Sequence, residues 1–181
     1  MWIALLVIVV LLIVWAISVY NHLVSLKMRV KNAWAQIDTQ LKRRFDLIPN
    51  LVETVKGYAA HEQGTLEKVI AARNTYASAT SVEDKAKANN ELTSTLKSIF
   101  ALGEAYPELK ANENFLALQT ELAGTEDKVA YSRQFYNDTV QMYNTAIMKF
   151  PNNILAGMFG YKEEPFFTID DAEKEPVKVQ F

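Results

Sequence analysis

The 181-residue chain has no cysteine, and it has few of the residues that interrupt helices, with six glycines and five prolines. The absence of cysteine excludes disulfides, thiol nucleophiles and cysteine-ligated metals, and it agrees with a reducing compartment. The scarcity of glycine and proline favours long helices. A net charge of −2 leaves no excess of basic residues, so the composition argues against a nucleic-acid partner.

Charged side chains are missing from the first 26 residues, since Lys27 is the first one in the chain. An uncharged apolar run of about 20 residues matches the roughly 30 Å core of a bilayer. A cleavable signal peptide is one alternative, because Ala16-Ile17-Ser18 resembles a cleavage site, but no basic residue precedes the run and the run is too long. A buried core helix rarely lacks a polar face over such a length. We therefore predict a transmembrane anchor at residues 1–20 that binds the lipid bilayer.

The basic residues Lys27, Arg29 and Lys31 follow this run, and none precedes it. The positive-inside rule therefore places the N-terminus outside and residues 21–181 in the cytoplasm. The sequence thus predicts a single-pass protein of the plasma membrane with a cytoplasmic domain of about 160 residues, which is enough for one hydrophobic core.

The clearest helical pattern lies near the C-terminus, where core-type residues recur at intervals of three and four. This seam consists of Phe115, Leu118, Leu122, Thr125, Val129, Ser132, Tyr136, Thr139, Tyr143, Ala146 and Phe150. The spacing predicts one long helix that packs lengthwise on its partners, and Pro151 is expected to end it. Small and hydroxyl residues alternate with large ones, which favours a bundle over a two-stranded zipper.

Three further helices are expected before this one. The first covers residues 23–45 and has no breaker between it and the anchor, so the two should form one continuous helix. The second covers residues 48–76 with Pro49 in its first turn, where a missing N–H costs little. The third begins at Ser81, and Asp84 completes a capping box.

Four amphipathic helices with short connections predict an all-α fold, namely an antiparallel four-helix bundle at residues 21–150. On that topology three Tyr-Asn pairs should meet near the bilayer; the alternative is that they are ordinary bundle positions. The pairs are Tyr20-Asn21, Tyr136-Asn137 and Tyr143-Asn144.

The composition changes after Pro151, so residues 151–181 are predicted to be an irregular or extended tail. Apolar residues and two glycines come first, an acidic run follows at 170–175, and the alternating end at 177–181 suits a short extended strand. This tail could dock on the bundle, dip into the membrane interface, or offer a strand or its carboxylate to a partner.

Motifs that carry catalysis or bind metals are missing. His61-Glu62 begins like the zinc-binding motif H-E-x-x-H, but Thr65 stands where the second histidine is needed. The chain has no G-x-S-x-G nucleophile motif and no glycine-rich phosphate loop. We therefore predict no catalytic residue, no cofactor and no metal.

The densest polar segment covers residues 36–50 and includes Arg43 and Arg44. Consecutive residues point in different directions around a helix, so at least one arginine should face the bundle or its edge. The antiparallel topology is expected to bring Glu53 near them. One interpretation is a set of structural salt bridges at the membrane-distal turn. The other is a partner-binding or anion-binding face formed by Arg43, Arg44, Asn50 and Glu53.

Three blocks resemble the bacterial LemA family closely: QLKRRFDLIPNLVETVKGY, YPELKANENF, and the ARN and YN-x-x-V segments. The resemblance covers essentially the whole chain, apart from one extra residue in the closing motif at 176–181. It implies a helical bundle on a single membrane anchor in the bacterial inner membrane. It also implies no established enzymatic activity, cofactor or catalytic residue. Family genes often lie near genes for membrane metalloproteases, which implies a partner in envelope stress or proteolysis.

Three functions remain open from the sequence. The first is a non-enzymatic membrane-anchored scaffold or interaction module that binds an unidentified envelope protein and can form homo-oligomers. The second is a signal-sensing or adaptor protein linked to envelope stress or membrane proteolysis. The third is an enzyme that uses the His61-Glu62 pair, which is a poor basis for any reaction class.

Overall fold

A computed structural model describes residues 1–168, and within them the protein is all-helical with no strand. The helices are α1 (Trp2–Lys56), α2 (Gln63–Ser78), α3 (Val82–Ala105), α4 (Pro107–Lys110), α5 (Glu113–Met148) and α6 (Asn152–Met158). The predicted all-α class is confirmed for these residues. The four-helix antiparallel arrangement and the division into residues 1–20, 21–150 and 151–181 stay predictions. The acidic run at 170–175 and the extended end at 177–181 lie outside the described residues.

Helix α1 continues without a break from the apolar run to Lys56, so the predicted separate helix at 48–76 is wrong. Pro49 lies inside α1, although an interior proline costs about 3 kcal/mol by removing a hydrogen bond and crowding the preceding turn. Ile48, Leu51 and Val55 around it are fully buried, and this packing offsets the local cost. The first turn of the chain lies at residues 57–62, after α1 ends.

Helix α3 begins where the sequence indicates. Ser81 is its N-cap, and its side-chain oxygen accepts a hydrogen bond from the Asp84 backbone N–H at 3.0 Å. The Ser81 hydroxyl donates in turn to the Asp84 carboxylate at 2.7 Å. Pro107, which lacks an N–H, begins the short helix α4 just after α3 ends. The predicted N-cap at Ser81 is confirmed, and the Asp84 carboxylate contacts the Ser81 hydroxyl.

Helix α5 is the long helix expected from the seam. Most seam residues are buried, namely Phe115, Leu122, Thr125, Val129, Ser132, Tyr136, Thr139, Tyr143 and Ala146. Leu118 is partly buried, whereas Phe150 lies beyond the end of the helix and is 80% exposed. The spacing of three and four residues therefore identified the helix and its buried face correctly.

Helix α6 was not expected, because the sequence indicated an irregular tail from residue 151. It has only seven residues and ends in a Schellman motif, in which the Tyr161 N–H donates to the Ala156 carbonyl at 2.9 Å. Gly160 has φ +70, a left-handed conformation that favours glycine at this position. Leu155 and Ala156 are the buried residues of α6.

The chain divides into two compact units. The first consists of Met1–Ile37 and Ser132–Phe166, and its buried residues include Leu23, Leu26, Val30, Ala33, Ile37, Tyr136, Val140, Tyr143, Ile147 and Leu155. The second is built mainly from Asp38–Tyr131. Its core consists of Ile48, Leu51, Val55, Ala59, Leu66, Val69, Ala72, Leu92, Leu96, Ile99, Leu109, Phe115 and Leu122.

Candidate functional site

The apolar run of α1 is exposed in the first unit. Leu6 is 64% exposed and Leu12 57%, whereas Leu23, about three to five turns further along the same helix, is fully buried. Among the described residues, α1 is the single helix long and apolar enough to cross a membrane. A soluble protein rarely exposes so large a continuous apolar surface. The exposure excludes the core-helix alternative and fits a segment whose solvent is lipid.

Two aromatic rings pack near Tyr20, the last residue of the apolar run, and a charged pair lies beside one of them. The Tyr20 ring lies 4.8 Å from the Phe159 ring and 6.4 Å from the Tyr161 ring, measured between centroids. The Lys27 ammonium lies 5.6 Å from the centre of the Tyr161 ring and 3.9 Å from the Glu164 carboxylate. These contacts join the part of α1 around Tyr20 and Lys27 to the segment that follows α6.

Side chains of α5 hold residues 162–165 in place within the first unit. The Tyr143 hydroxyl donates to the Lys162 carbonyl at 2.9 Å, and the Tyr136 hydroxyl donates to the Pro165 carbonyl at 2.8 Å. Asn144 makes two hydrogen bonds of 2.9 Å with the Glu164 backbone, one as donor and one as acceptor. This part of the tail therefore docks on the protein, which was one of the three expectations for it.

The phenol of Tyr143 has a perturbed acidity. Burial is the main cause that raises its pKa to about 12, and the Glu164 carboxylate and Tyr161 add to the effect. The neutral form is therefore the one that donates to the Lys162 carbonyl. The repetition of the Tyr-Asn pairs was visible in the sequence. The sequence could not show that Tyr136, Tyr143 and Asn144 bind the backbone of residues 162–165.

Arg44 is a buried structural residue of the second unit. Its side chain is 3% exposed, and its guanidinium lies 2.7 Å from the Glu126 carboxylate. It also donates to the Asn89 amide oxygen at 2.9 Å and to the Thr93 hydroxyl at 3.0 Å. These partners belong to α3 and α5, so the residue connects three helices. The salt-bridge interpretation holds for Arg44, because a ligand could not reach its guanidinium without displacing these partners.

Arg43 points in another direction and is 54% exposed in its side chain. Its Nε and one terminal nitrogen donate to the same Glu121 oxygen, at 3.2 and 2.8 Å. Its charge is therefore balanced by a carboxylate of α5 at the surface.

Asn50 and Glu53 line a groove of about 470 Å³ in the second unit, with Thr54, Asn114, Ala117, Leu118 and Glu121. Glu53 does not approach the arginines across a turn, as the sequence indicated, because it lies on the same helix three turns further along. Glu121 connects the two features, since it pairs with Arg43 and lines the groove. With two carboxylates and two amides, the groove is suited to a polar or basic partner group and not to an anion.

The His61-Glu62 pair lies in the turn between α1 and α2. His61 is exposed, while Glu62 accepts a hydrogen bond from the Tyr106 hydroxyl at 3.1 Å, which raises the pKa of that phenol. Residues 1–168 contain no cluster of three or more His, Cys, Asp or Glu side chains that could hold a metal ion.

Comparisons with known proteins show what this chain is similar to. The LemA family matches over residues 33–181. Protein LemA of Metamycoplasma hominis is 29% identical over 162 residues, which is 87% of this chain and 72% of the relative. Magnetosome protein MamQ 2 of Paramagnetospirillum magneticum is 32% identical over 79 residues, and MamQ of Magnetospirillum gryphiswaldense 30% over 79. The match spans 44% of this chain but only 29% of either magnetosome protein. This chain belongs to the LemA family.

Proposed function

We propose that the protein is a membrane-anchored, non-enzymatic scaffold or interaction module of the bacterial cell envelope. One observation carries the proposal: a single helix has an exposed apolar first part and then becomes part of a buried core from Leu23 onward. An anchor of this kind is rigidly joined to the first unit and restricts it to the membrane surface. Restriction to two dimensions raises the effective concentration of binding partners, including other copies of the chain.

The proposed orientation places the N-terminus outside and the helical part in the cytoplasm. Lys27, Arg29 and Lys31 support it, because positive charge close to a span is retained on the cytoplasmic side. We also propose that residues 21–150 form an antiparallel four-helix bundle on the cytoplasmic side of the inner membrane, which the buried seam of α5 supports.

The groove of Asn50, Glu53 and Glu121 is the face that we propose for a partner, with exposed Arg43 at its edge. Arg44 acts behind this face by holding the helices together. Family membership and the magnetosome relatives, none of which is named as an enzyme, support a membrane-associated role without catalysis. An adaptor that captures an anion through both arginines is less well supported, because Arg44 is buried and Arg43 is paired.

Photo-crosslinking in cells tests this proposal on the full-length chain. A photoreactive amino acid at Asn50 or Glu53 should give specific crosslinks to an envelope protein or to a second copy. The matched control is the same amino acid at Glu67, an exposed acidic position on α2 outside the groove. Crosslinks that appear equally from Glu67, or a protein that stays monomeric and uncrosslinked from all three positions, would overturn the proposed interaction face.

Topology is tested separately with a protease-cleavable tag fused after Phe181. The tag should be protected in spheroplasts, which leave the outer face of the inner membrane accessible, and cleaved in inverted vesicles. Cleavage in intact spheroplasts would contradict the proposed orientation while leaving the membrane anchor itself in place.

A further inference from the structure

A cluster of large apolar side chains is exposed in and around α6. Phe150 is 80% exposed, Met158 74%, Phe159 57% and Ile154 53%. Ile154 and Met158 are four residues apart and therefore lie on the same side of α6, opposite the buried Ala156. Four such side chains within ten residues form a patch of a kind that marks a binding surface.

This patch lies beside the end of the apolar run. The Phe159 ring is 4.8 Å from the Tyr20 ring, and Tyr20 ends the segment predicted to cross the bilayer. If the span ends at Tyr20, α6 stands where the hydrocarbon meets the lipid headgroups. Tyrosine at that depth is typical of membrane proteins, because its ring is apolar and its hydroxyl is polar.

Basic residues are close to the patch in the sequence. Lys149 and Lys162 flank the patch in sequence, and both are exposed. Lys149 and His22, two residues past Tyr20, also line a groove of about 420 Å³. An apolar face with adjacent basic groups is the composition of segments that lie in the membrane interface.

We propose that residues 150–159 form an interfacial element that inserts its apolar side chains into the boundary between headgroups and acyl chains of the phospholipid bilayer. The inference rests on the proposed membrane anchor, which brings the patch to the lipid. A seven-residue helix is too short to bind a membrane by itself, but the anchor makes its insertion intramolecular. Insertion would fix the tilt and rotation of the first unit on the membrane.

The bilayer is favoured as the occupant because the patch is continuous with the exposed apolar surface of α1 through the contact between Phe159 and Tyr20. Lipid fills any uncovered surface at that depth, and no polar pairing on the patch selects a protein partner. A second copy of the chain, or another protein, is therefore an alternative outcome of the test.

Single-cysteine labelling tests the inference, and the natural absence of cysteine removes any background. The variants Ile154→Cys and Met158→Cys carry an environment-sensitive fluorophore in full-length protein, reconstituted in vesicles of phosphatidylethanolamine and phosphatidylglycerol. The matched control is Phe135→Cys, since Phe135 is 46% exposed against 53% for Ile154 in the same unit. Val10→Cys, in the middle of the apolar run, reports on the anchor.

Phe135 is a suitable control because its neighbour Tyr136 contacts Trp34, with ring centroids 5.7 Å apart. Trp34 lies fourteen residues past Tyr20, about 21 Å along α1, and hence outside the interface. Correct folding of every variant is checked by its melting temperature in detergent.

Labels at 154 and 158 should emit at shorter wavelength than the label at 135. Lipids with a spin label near the headgroup should quench the fluorophores at 154 and 158 several-fold more strongly than the fluorophore at 135. Lipids with a spin label deep in the acyl chain should quench the fluorophore of Val10→Cys. If the label at 10 is quenched but those at 154 and 158 resemble 135, the interfacial inference fails and the anchor stands. Protection at 158 without lipid quenching would show a protein contact and also overturn the inference. No quenching at position 10 would overturn the proposed anchor itself.

Discussion

Replacing Arg44 by methionine tests whether this residue holds the second unit together or serves a ligand. Its guanidinium is buried and contacts Glu126, Asn89 and Thr93 at 2.7 to 3.0 Å. Methionine keeps much of the side-chain volume and helix propensity but removes the charge and every donor. The acceptors on α3 and α5 then lose their partner while the helices stay packed around them.

The expected cost follows from the burial of each partner. Removing one member of a buried ion pair costs about 3–5 kcal/mol, mainly because the other charge is left without compensation. The Glu126 side chain is 42% exposed and can be rehydrated, so we expect the lower end, about 3 kcal/mol. Asn89 is buried, and its unpaired oxygen accounts for about 1–3 kcal/mol of that cost. For a protein of this size, about 3 kcal/mol lowers Tm by roughly 6–12 °C.

Arg43→Met is the matched control, since Arg43 is the adjacent residue and is 54% exposed. An exposed ion pair contributes about 0.2–1 kcal/mol, so its loss should lower Tm by less than about 4 °C. Thermal unfolding of the full-length protein in mild detergent is followed by near-ultraviolet circular dichroism, because the apolar part of α1 is expected to remain helical there.

A double-mutant cycle with Asn89→Ala sharpens the test, since the penalty of Arg44→Met should shrink when Asn89 is already absent. Equal Tm values for Arg44→Met and Arg43→Met would refute the structural role. A wild-type Tm for Arg44→Met combined with loss of partner crosslinking would instead show that Arg44 serves a ligand.

Two further predictions concern packing and pH. A Cβ at Gly103 would lie 2.8 Å from the Phe115 ring, so Gly103→Ala should destabilise the fold by about 1–3 kcal/mol. A Cβ at Gly124 would meet open space, so Gly124→Ala should stabilise the fold by about 0.5–1 kcal/mol through helix propensity. Equal shifts in Tm for the two variants would contradict this reasoning. Because folding raises the pKa of Tyr143 from 10.0 to about 12, its contribution to stability should be complete below pH 10 and be lost as pH rises through 12. The stability difference between wild type and Tyr143→Phe, measured by denaturant unfolding, should therefore shrink over that interval, and a constant difference would refute the assignment.

Local rules succeeded where neighbouring residues alone decide the structure. The Ser81 side chain caps the Asp84 backbone N–H and binds the Asp84 carboxylate within one turn, so the start of α3 could be found from the sequence. The 3,4 spacing of the α5 seam likewise identified its buried face, because helix geometry converts that spacing directly into one side of the helix.

The same rules failed at Pro49. Proline near the start of a predicted segment indicated a new helix, but the fully buried Ile48, Leu51 and Val55 hold the helix together through it. Their packing depends on residues far away in sequence, which local propensity cannot include. The sequence placed a turn before residue 48, whereas the chain first turns at residues 57–62, so Glu53 stays on the same helix as the arginines.

The candidate residues show the same limit. Arg43 and Arg44 are adjacent in sequence and chemically identical, yet one is paired at the surface and the other is buried among three helices. The sequence showed that they must point in different directions, but only the positions of Asn89 and Glu126 decide which one faces inward.

The sequence by itself determined the apolar run, its basic flank, the all-helical class and the family, because each depends on composition or on local spacing. The tertiary structure alone decided that Arg44 is buried, that α1 continues through Pro49, and that Tyr143 and Asn144 hold the segment after α6. These outcomes depend on contacts between residues that are distant in the chain. Burial and hydrogen-bond pairing are properties of the assembled fold, so no local pattern can specify them.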